Sequence, residues 1–212
     1  GVFMPNGIII IDKPSDWTSM DVCAKLRGIL REKRVGHGGT LDPMATGVLP
    51  VFVGRGTRAV EFFEHAEKCY ETVLRFGIAT DTEDITGTVL EEKPVNVTRE
   101  DLEAALENFR GEIQQIPPMY SALKINGQKL CDLARKGKEV ERKPRTITIF
   151  QLDLLDFTGD TARLRVACSK GTYIRTLCKD IGEALGCGGC MAGLRRVTAG
   201  EYTIAQAVPL KT

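Results

Sequence analysis

No apolar run in the 212 residues approaches the ~18 needed for a helix to cross a bilayer, so a helical membrane span is excluded. The one early run, Ile8 to Ile11, is followed at once by Asp12 and Lys13, and no basic stretch precedes it. A secretory signal would show the reverse order. Gly1, Val2 and Phe3 stand ahead of Met4, which reads as the natural start. Histidine is scarce, with two residues, and the seven cysteines are odd in number and scattered. Such cysteines argue against a disulfide framework and for reduced thiols in a cytoplasmic protein. Cys187 and Cys190 make a lone C-x-x-C with neither a second pair nor histidines at zinc spacing, so it reads as a structural loop rather than a metal site. Internal repeats and low-complexity tracts are missing too.

What is present is ordinary for one folded domain over residues 1–212: 42% hydrophobic and 27% charged residues, enough apolar material to bury a core. The formal charge of +1 hides an asymmetry. Residues 81–107 hold nine acidic and two basic side chains, a net of −7. Residues 124–145 hold eight basic and three acidic, a net of +5, and residues 13–34 six basic and three acidic, a net of +3. Two basic blocks on a neutral chain suggest a surface for a polyanion. Charge alone fits a solvated helix face equally well.

The pattern predicts Gly7 to Ile11 as a buried strand. A capping box at Thr18 to Asp21 then heads a helix with Val22, Leu26, Ile29 and Leu30 on one side. Gly47 to Gly54 reads as a strand whose Pro50 implies an edge or a bulge. Tyr70, Thr72, Leu74 and Phe76 share one face of another strand. A second capping box at Thr98 opens a helix that closes near Gly111, and Leu130 to Lys136 is a short basic helix ended by Gly137. Residues 146–155 and 162–168 make a hairpin around Gly159 and Asp160, and Ile174, Leu177, Ile181 and Leu185 form one helical stripe. His65 falls in an exposed helical stretch, and Trp17 reads as a packing residue beside the first cap. Hairpins and unevenly spaced helices do not give a doubly wound rhythm, so the expected class is α+β on a mainly antiparallel or mixed sheet.

The densest chemistry lies in Gly36-His37-Gly38-Gly39-Thr40-Leu41-Asp42-Pro43. Its three glycines let backbone approach a ligand or turn sharply, although Gly, Asp and Pro also make plain structural turns. It is no phosphate-binding loop, since the Lys-Ser/Thr ending and the G-x-G-x-x-G frame are both missing. The octapeptide resembles the G-H-x-G-T-L-D-P signature of the TruB-type tRNA pseudouridine synthases. Further segments resemble that family in the same order: Asp12-Lys13-Pro14, Lys68-Cys69-Tyr70, the run from Ile116 to Lys124 (IPPMYSALK), the run from Ser169 to Arg175 (SKGTYIR), and Leu194-Arg195-Arg196. Together they span about residues 7–200.

The resemblance implies a pseudouridine-synthase fold, a mixed α/β domain around a central, mainly antiparallel sheet. It implies isomerisation of uridine 55 in the TΨC loop of tRNA, with no cofactor and no metal. The uracil leaves its ribose, turns and rejoins it through C5. A carboxylate suits this step because it can bond covalently and later leave, and Asp42 stands at that position. Arg175 stands where the family arginine would keep Asp42 ionised in a desolvated pocket through a charge-assisted pair. Tyr70 matches the tyrosine that stacks on the target base and moves a proton, a double use its ring and phenol permit; from the strand pattern alone it equally fits a core aromatic. His37 matches the histidine that helps the nucleotide leave its stack. Lys13 and Pro14 would brace the pocket, and Tyr173 and Leu194 would line it. The insertion at about residues 121–146, with Lys136, Lys138, Lys143 and Arg145, falls where family members grip RNA. The expected partner is the tRNA TΨC stem-loop, and the chain is expected to be a cytoplasmic monomer without a PUA-like C-terminal region. Three rivals stay open: a guide-RNA-directed synthase of the dyskerin type, a non-catalytic RNA-binding module, and a phosphate-handling enzyme built on the glycine loop.

Overall fold

The structure is a computed structural model that describes residues 6–210; Gly1 to Met4, where the start was read, lie outside the described residues. In chain order the elements are β1 (Gly7–Lys13), α1 (Ser19–Leu30), β2 (Val35–His37), β3 (Thr46–Val53), α2 (Val60–Glu64), β4 (Lys68–Phe76), β5 (Ile78–Thr80) and β6 (Val89–Glu92). There follow α3 (Arg99–Leu106), β7 (Gly111–Gln115), the small hairpin β8 (Lys124–Ile125) and β9 (Gln128–Lys129), and α4 (Leu130–Arg135). The chain continues through β10 (Arg145–Phe157), β11 (Thr161–Cys168), α5 (Ile174–Ala184), β12 (Gly189–Ala199), β13 (Tyr202–Thr203) and β14 (Val208–Pro209). These residues fall into two compact units, one of residues up to 71 together with those from 194 onward, the other of residues 72–193.

In the first unit β3 is the centre. Its residues from Gly47 to Val53 are all buried, which is why it reads as a nearly unbroken apolar run. β1 pairs with it antiparallel along its length, from Gly7 opposite Val53 to Lys13 opposite Gly47. β2 joins antiparallel at one end, with His37 opposite Val51, and β12 joins parallel at the other, with Arg195 opposite Thr46 and Arg196 opposite Gly47. The expectation of an edge or a bulge at Pro50 is therefore wrong, since the register with β1 runs unbroken through it. The Pro50 carbonyl accepts the Gly38 N–H at 3.0 Å, so the proline nitrogen points to the side where β12 has ended and β2 begins. No ladder donor is required there, and the missing N–H costs nothing. α1 starts where the capping box places it: Thr18 Oγ1 accepts the Asp21 N–H and the Asp21 carboxylate accepts the Thr18 N–H, both at 2.9 Å. A cap of this kind is worth ~1 kcal/mol. Trp17 packs, as expected, against the cluster formed by Ile11, Val22, Leu26, Leu41 and Val51.

In the second unit β10 lies between β11 and β7, antiparallel to both. Leu102 and Leu106 of α3, Ile149 and Leu152 of β10, Leu164 and Val166 of β11, and Leu177 and Ile181 of α5 are almost wholly buried. Each such side chain contributes roughly 1.5–3 kcal/mol of hydrophobic stabilisation. The Thr98 capping box forms as read, and α5 carries its stripe of Ile174, Leu177 and Ile181 inward. His65 is exposed, but it caps the end of α2 rather than lying within it. The fold is thus α+β with mainly antiparallel pairing.

Candidate active site

The loop between β2 and β3 holds Asp42, and buried groups on both sides of that residue fix its course. Arg196, 1% exposed, donates Nη2 to the Gly39 carbonyl at 2.7 Å and Nε to the Val48 carbonyl at 2.8 Å. Ser19, at the first turn of α1, meets both backbone groups of Leu41: its Oγ accepts the Leu41 N–H at 3.0 Å and donates to the Leu41 carbonyl at 3.1 Å. The Pro43 carbonyl accepts Lys13 Nζ at 3.2 Å and the Asp16 N–H at 2.7 Å. The Asp42 carbonyl closes a turn with the Ala45 N–H at 3.0 Å. Gly47 has φ +108°, and a Cβ there would sit 2.1 Å from the Arg196 carbonyl oxygen. Only glycine lets β12 come this close.

Lys13 lies at the base of the same loop. Its ammonium is wholly buried and also donates to the carbonyls of Pro14 at 2.9 Å and Trp17 at 2.5 Å. Burial pushes it below the ordinary lysine value, against the attraction of Asp42, Asp16 and Asp21. One cation thereby ties the end of β1, the following turn and the Asp42 loop. Beside it, Arg195 holds Asp12 two-pronged, at 3.0 Å on each oxygen, and reaches Thr46 Oγ1 at 3.1 Å. Pro14 is half-buried on the braced turn.

His37 ends β2, half-buried, and its Nδ1 is buried without a hydrogen-bond partner among the described residues. Burial first and the Arg196 cation second push its imidazole below the ordinary value of 6.5, with Glu64 pulling the other way. His37 is therefore neutral at pH 7. The linkage follows: in the unfolded chain the ring takes up its proton near 6.5, so stability falls as pH drops through that value toward the lower folded one. Ring-proton titration by NMR should place the His37 midpoint below 6.5, and a midpoint above it would contradict the assigned burial and charge.

Tyr70 and Leu194 are both half-buried and pack against the same cluster, the one that contains Leu41. Tyr70 thus meets the core on one side while keeping exposed surface on the other. Asp42 itself is exposed. The expectation of a desolvated pocket around Asp42 is corrected: the residue is exposed, and burial falls on Leu41 and on the groups that anchor the loop.

In the second unit Arg175 is the second residue of α5, 8% exposed, and donates Nη1 to the Thr82 carbonyl at 3.1 Å. The segment from Thr80 to Thr88 that receives it is closely tied. Asp84 Oδ1 accepts the Thr82 hydroxyl at 2.9 Å and both the N–H and the hydroxyl of Thr86, at 2.9 and 2.5 Å. Glu83 is buried with φ +69°, and its Oε2 accepts the Thr176 hydroxyl at 2.7 Å. Tyr173, half-buried, precedes α5, and its N–H and carbonyl both meet the Gln115 side chain. Lys136, Lys138, Lys143 and Arg145 are all exposed, and Lys124, Lys129 and Lys136 surround a hollow of about 300 Å³.

Sequence reasoning missed Ser19, Gln115, Arg196 as an anchor, and the Thr80–Thr88 network. Arg196 had a signal, as a charged residue inside an apolar strand. Gln115 had none. Among the described residues no group of histidine, cysteine and acidic side chains is placed to hold a metal. Cys187 and Cys190 are buried, and burial pushes the Cys190 thiol up, away from the thiolate a metal needs.

Comparison with known proteins gives the same direction throughout. The family model for the N-terminal domain of TruB family pseudouridylate synthases matches residues 27–174, and the tRNA pseudouridylate synthase B C-terminal domain matches residues 175–212. The chain is 54% identical to the tRNA pseudouridine synthase B of Stutzerimonas stutzeri, over 98% of this chain and 68% of that protein. It is 51% identical to that of Pseudomonas aeruginosa, over 98% and 68%. Among solved structures it resembles a Cbf5–Nop10–Gar1 complex, at 32% identity and TM-score 0.78, covering 96% of this chain and 52% of the solved one. It also resembles an H/ACA RNP bound to a substrate RNA containing 2′-deoxyuridine, at 29% and 0.72, covering 96% and 50%. The chain spans about half the length of these solved chains. On the family model and on identity over nearly its whole length, the chain belongs to the TruB family of pseudouridylate synthases.

Proposed function

We propose that the chain isomerises uridine 55 in the TΨC loop of tRNA to pseudouridine. The observation that carries this reading is an exposed carboxylate, Asp42, on a loop whose residues on either side are anchored by buried Arg196, Ser19 and Lys13. A nucleophile must be accessible and must not wander, and reacting groups held near 3–3.5 Å gain much of their barrier lowering from position alone.

The reaction follows from these groups. The target uridine leaves its stack, since its glycosidic bond cannot be reached inside a folded loop. Asp42 supplies the negative oxygen that bonds to C1′ as the C1′–N1 bond breaks and its electron pair goes to N1. The freed uracil turns so that C5 faces C1′, the C5–C1′ bond forms, Asp42 departs, and the C5 proton is lost while N1 regains one. Tyr70 offers its exposed surface for stacking on the base and its phenol for the last proton transfer. Neutral His37, flanked by glycines, offers a hydrogen bond to the displaced nucleotide rather than charge. Arg175 supplies a fixed cation that balances negative charge during the reaction.

The likeness to a Cbf5–Nop10–Gar1 complex keeps one alternative in view, a synthase that needs a guide RNA. The 54% identity to tRNA pseudouridine synthase B over 98% of the chain favours the stand-alone enzyme. Purified chain should convert one uridine of an isolated TΨC stem-loop with no other RNA or protein added; conversion only with a guide RNA would reverse the choice.

The basic segment is proposed to hold the stem. Neutralising exposed Lys136, Lys138, Lys143 and Arg145 together should weaken tRNA binding and flatten the log–log salt dependence by about 0.7–0.9 for each phosphate no longer neutralised. An unchanged slope would put the RNA elsewhere.

A further inference from the structure

α5 begins without a cap of its own: Tyr173 stands at the N-cap and supplies no side-chain hydrogen bond to the first turn. A helix end lacking a local cap must find its partners elsewhere. Here the partner is one residue 58 positions away. Gln115 Oε1 accepts the Tyr173 N–H at 3.0 Å, and Gln115 Nε2 donates to the Tyr173 carbonyl at 3.1 Å. That same carbonyl takes the first helical bond, from the Leu177 N–H at 3.1 Å. Gln115 is 2% exposed, so water cannot replace it.

Two residues beyond Tyr173 the helix carries Arg175. The guanidinium is tied at its far end to the Thr82 carbonyl, whereas Gln115 ties the backbone two residues before it, at Tyr173. Gln115 also ends β7 opposite Arg145, the residue at which β10 starts. The basic segment therefore leaves and re-enters the fold at the level of this amide, and its two ends are joined again by Arg142, which donates to the Pro117 carbonyl at 2.8 Å.

We infer that Gln115 is a positioning residue for the isomerisation: its amide fixes the first turn of α5, and with it Tyr173 and Arg175, to the base of the RNA-gripping segment. This rests on the proposed roles of Arg175 and of that segment. Gln115 touches no substrate; it acts through the backbone of Tyr173. A misplacement of about 1 Å at a catalytic group can cost 10²-fold, so its loss should fall on the chemical step and leave RNA affinity, set mainly by phosphate contacts, in place.

The test is a double-mutant cycle read by single-turnover conversion with tRNA saturating, alongside tRNA affinity. Gln115→Met keeps the length and loses both hydrogen bonds; Gln115→Glu keeps only the acceptor for the Tyr173 N–H. Gln115→Met should slow conversion ~10–100-fold with unchanged tRNA affinity, and Gln115→Glu should slow it too. In an Arg175→Lys background the same Gln115 changes should cost much less, because the group they position is already impaired. Losses that multiply fully in both backgrounds, or a Gln115→Met enzyme as fast as the parent, would overturn the inference. Should Gln115→Met fail to fold, the Gln115→Glu arm decides alone by the same criterion. A parent enzyme that converts no uridine would refute the proposed function instead, a result distinct from either.

Discussion

Replacing Asp42 by asparagine is expected to end turnover while leaving the fold and tRNA binding nearly intact. Asparagine keeps the shape and suits the same turn, so the Ala45 N–H still reaches the residue 42 carbonyl. The side chain is exposed, and exposed substitutions of this kind usually shift stability by about 0.5 kcal/mol or less. The anchors contributed by Arg196, Ser19 and Lys13 all bind neighbouring backbone and keep those hydrogen bonds, although Lys13 loses the attraction of the Asp42 charge. What disappears is the anion that forms and later releases a covalent bond. Removing a nucleophile of this kind costs on the order of 10⁶ in kcat in a well-studied hydrolase. Single-turnover conversion, thermal unfolding and tRNA binding measured together check the split. Conversion by Asp42→Asn above about a hundredth of the parent rate would be incompatible with covalent catalysis at this position.

The second large effect is expected at Arg175. The guanidinium is nearly buried and donates to the Thr82 carbonyl, itself held in the tight Thr80–Thr88 network. Such a preorganised cation is effective because it needs no rearrangement as charge develops. Arg175→Ala should slow the chemical step about 10²–10³-fold, the scale for loss of one fixed electrostatic donor. Arg175→Lys should recover only part of this, because an ammonium cannot reproduce the planar multi-donor geometry. Affinity for tRNA should stay close to the parent value in both. An Arg175→Ala enzyme with parent activity at pH 7 would show that Arg175 is structural and that its proposed catalytic role is wrong.

Much of this was legible in the sequence because local physics wrote it. The boxes at Thr18 and Thr98 are satisfied by residues three positions away, so reading them requires no tertiary knowledge. The stripe of α5 and the hairpin around Gly159 are equally local. The catalytic candidates were legible for another reason: their motif resembles a family, and motif order carries information that composition does not. What stayed hidden is what depends on distant partners. Pro50 suggests an edge from its own chemistry, and only the meeting of β2 and β12 on one flank of β3 shows why a central strand tolerates it. Asp42 was expected in a desolvated pocket because its chemistry favours one, yet the burial falls on the loop's anchors. Gln115 is a common polar residue at a strand end, and its value lies wholly in Tyr173, brought to it by the fold. Arg196 sits in a strand as one basic residue beside another; that its neighbour holds Asp12 while it holds Gly39 is a matter of which way each side chain leaves β12.

Release of hydrogen from C5 of uridine tests the central claim most directly, because formation of the new carbon–carbon bond to ribose requires that hydrogen to leave. Transcribed tRNA carrying tritium at C5 of its uridines, incubated with the purified chain alone, should release one equivalent of tritium per tRNA to water. Release should stop when uridine 55 is replaced by cytidine. No release above the Asp42→Asn background, or release that persists after the replacement, would contradict the account.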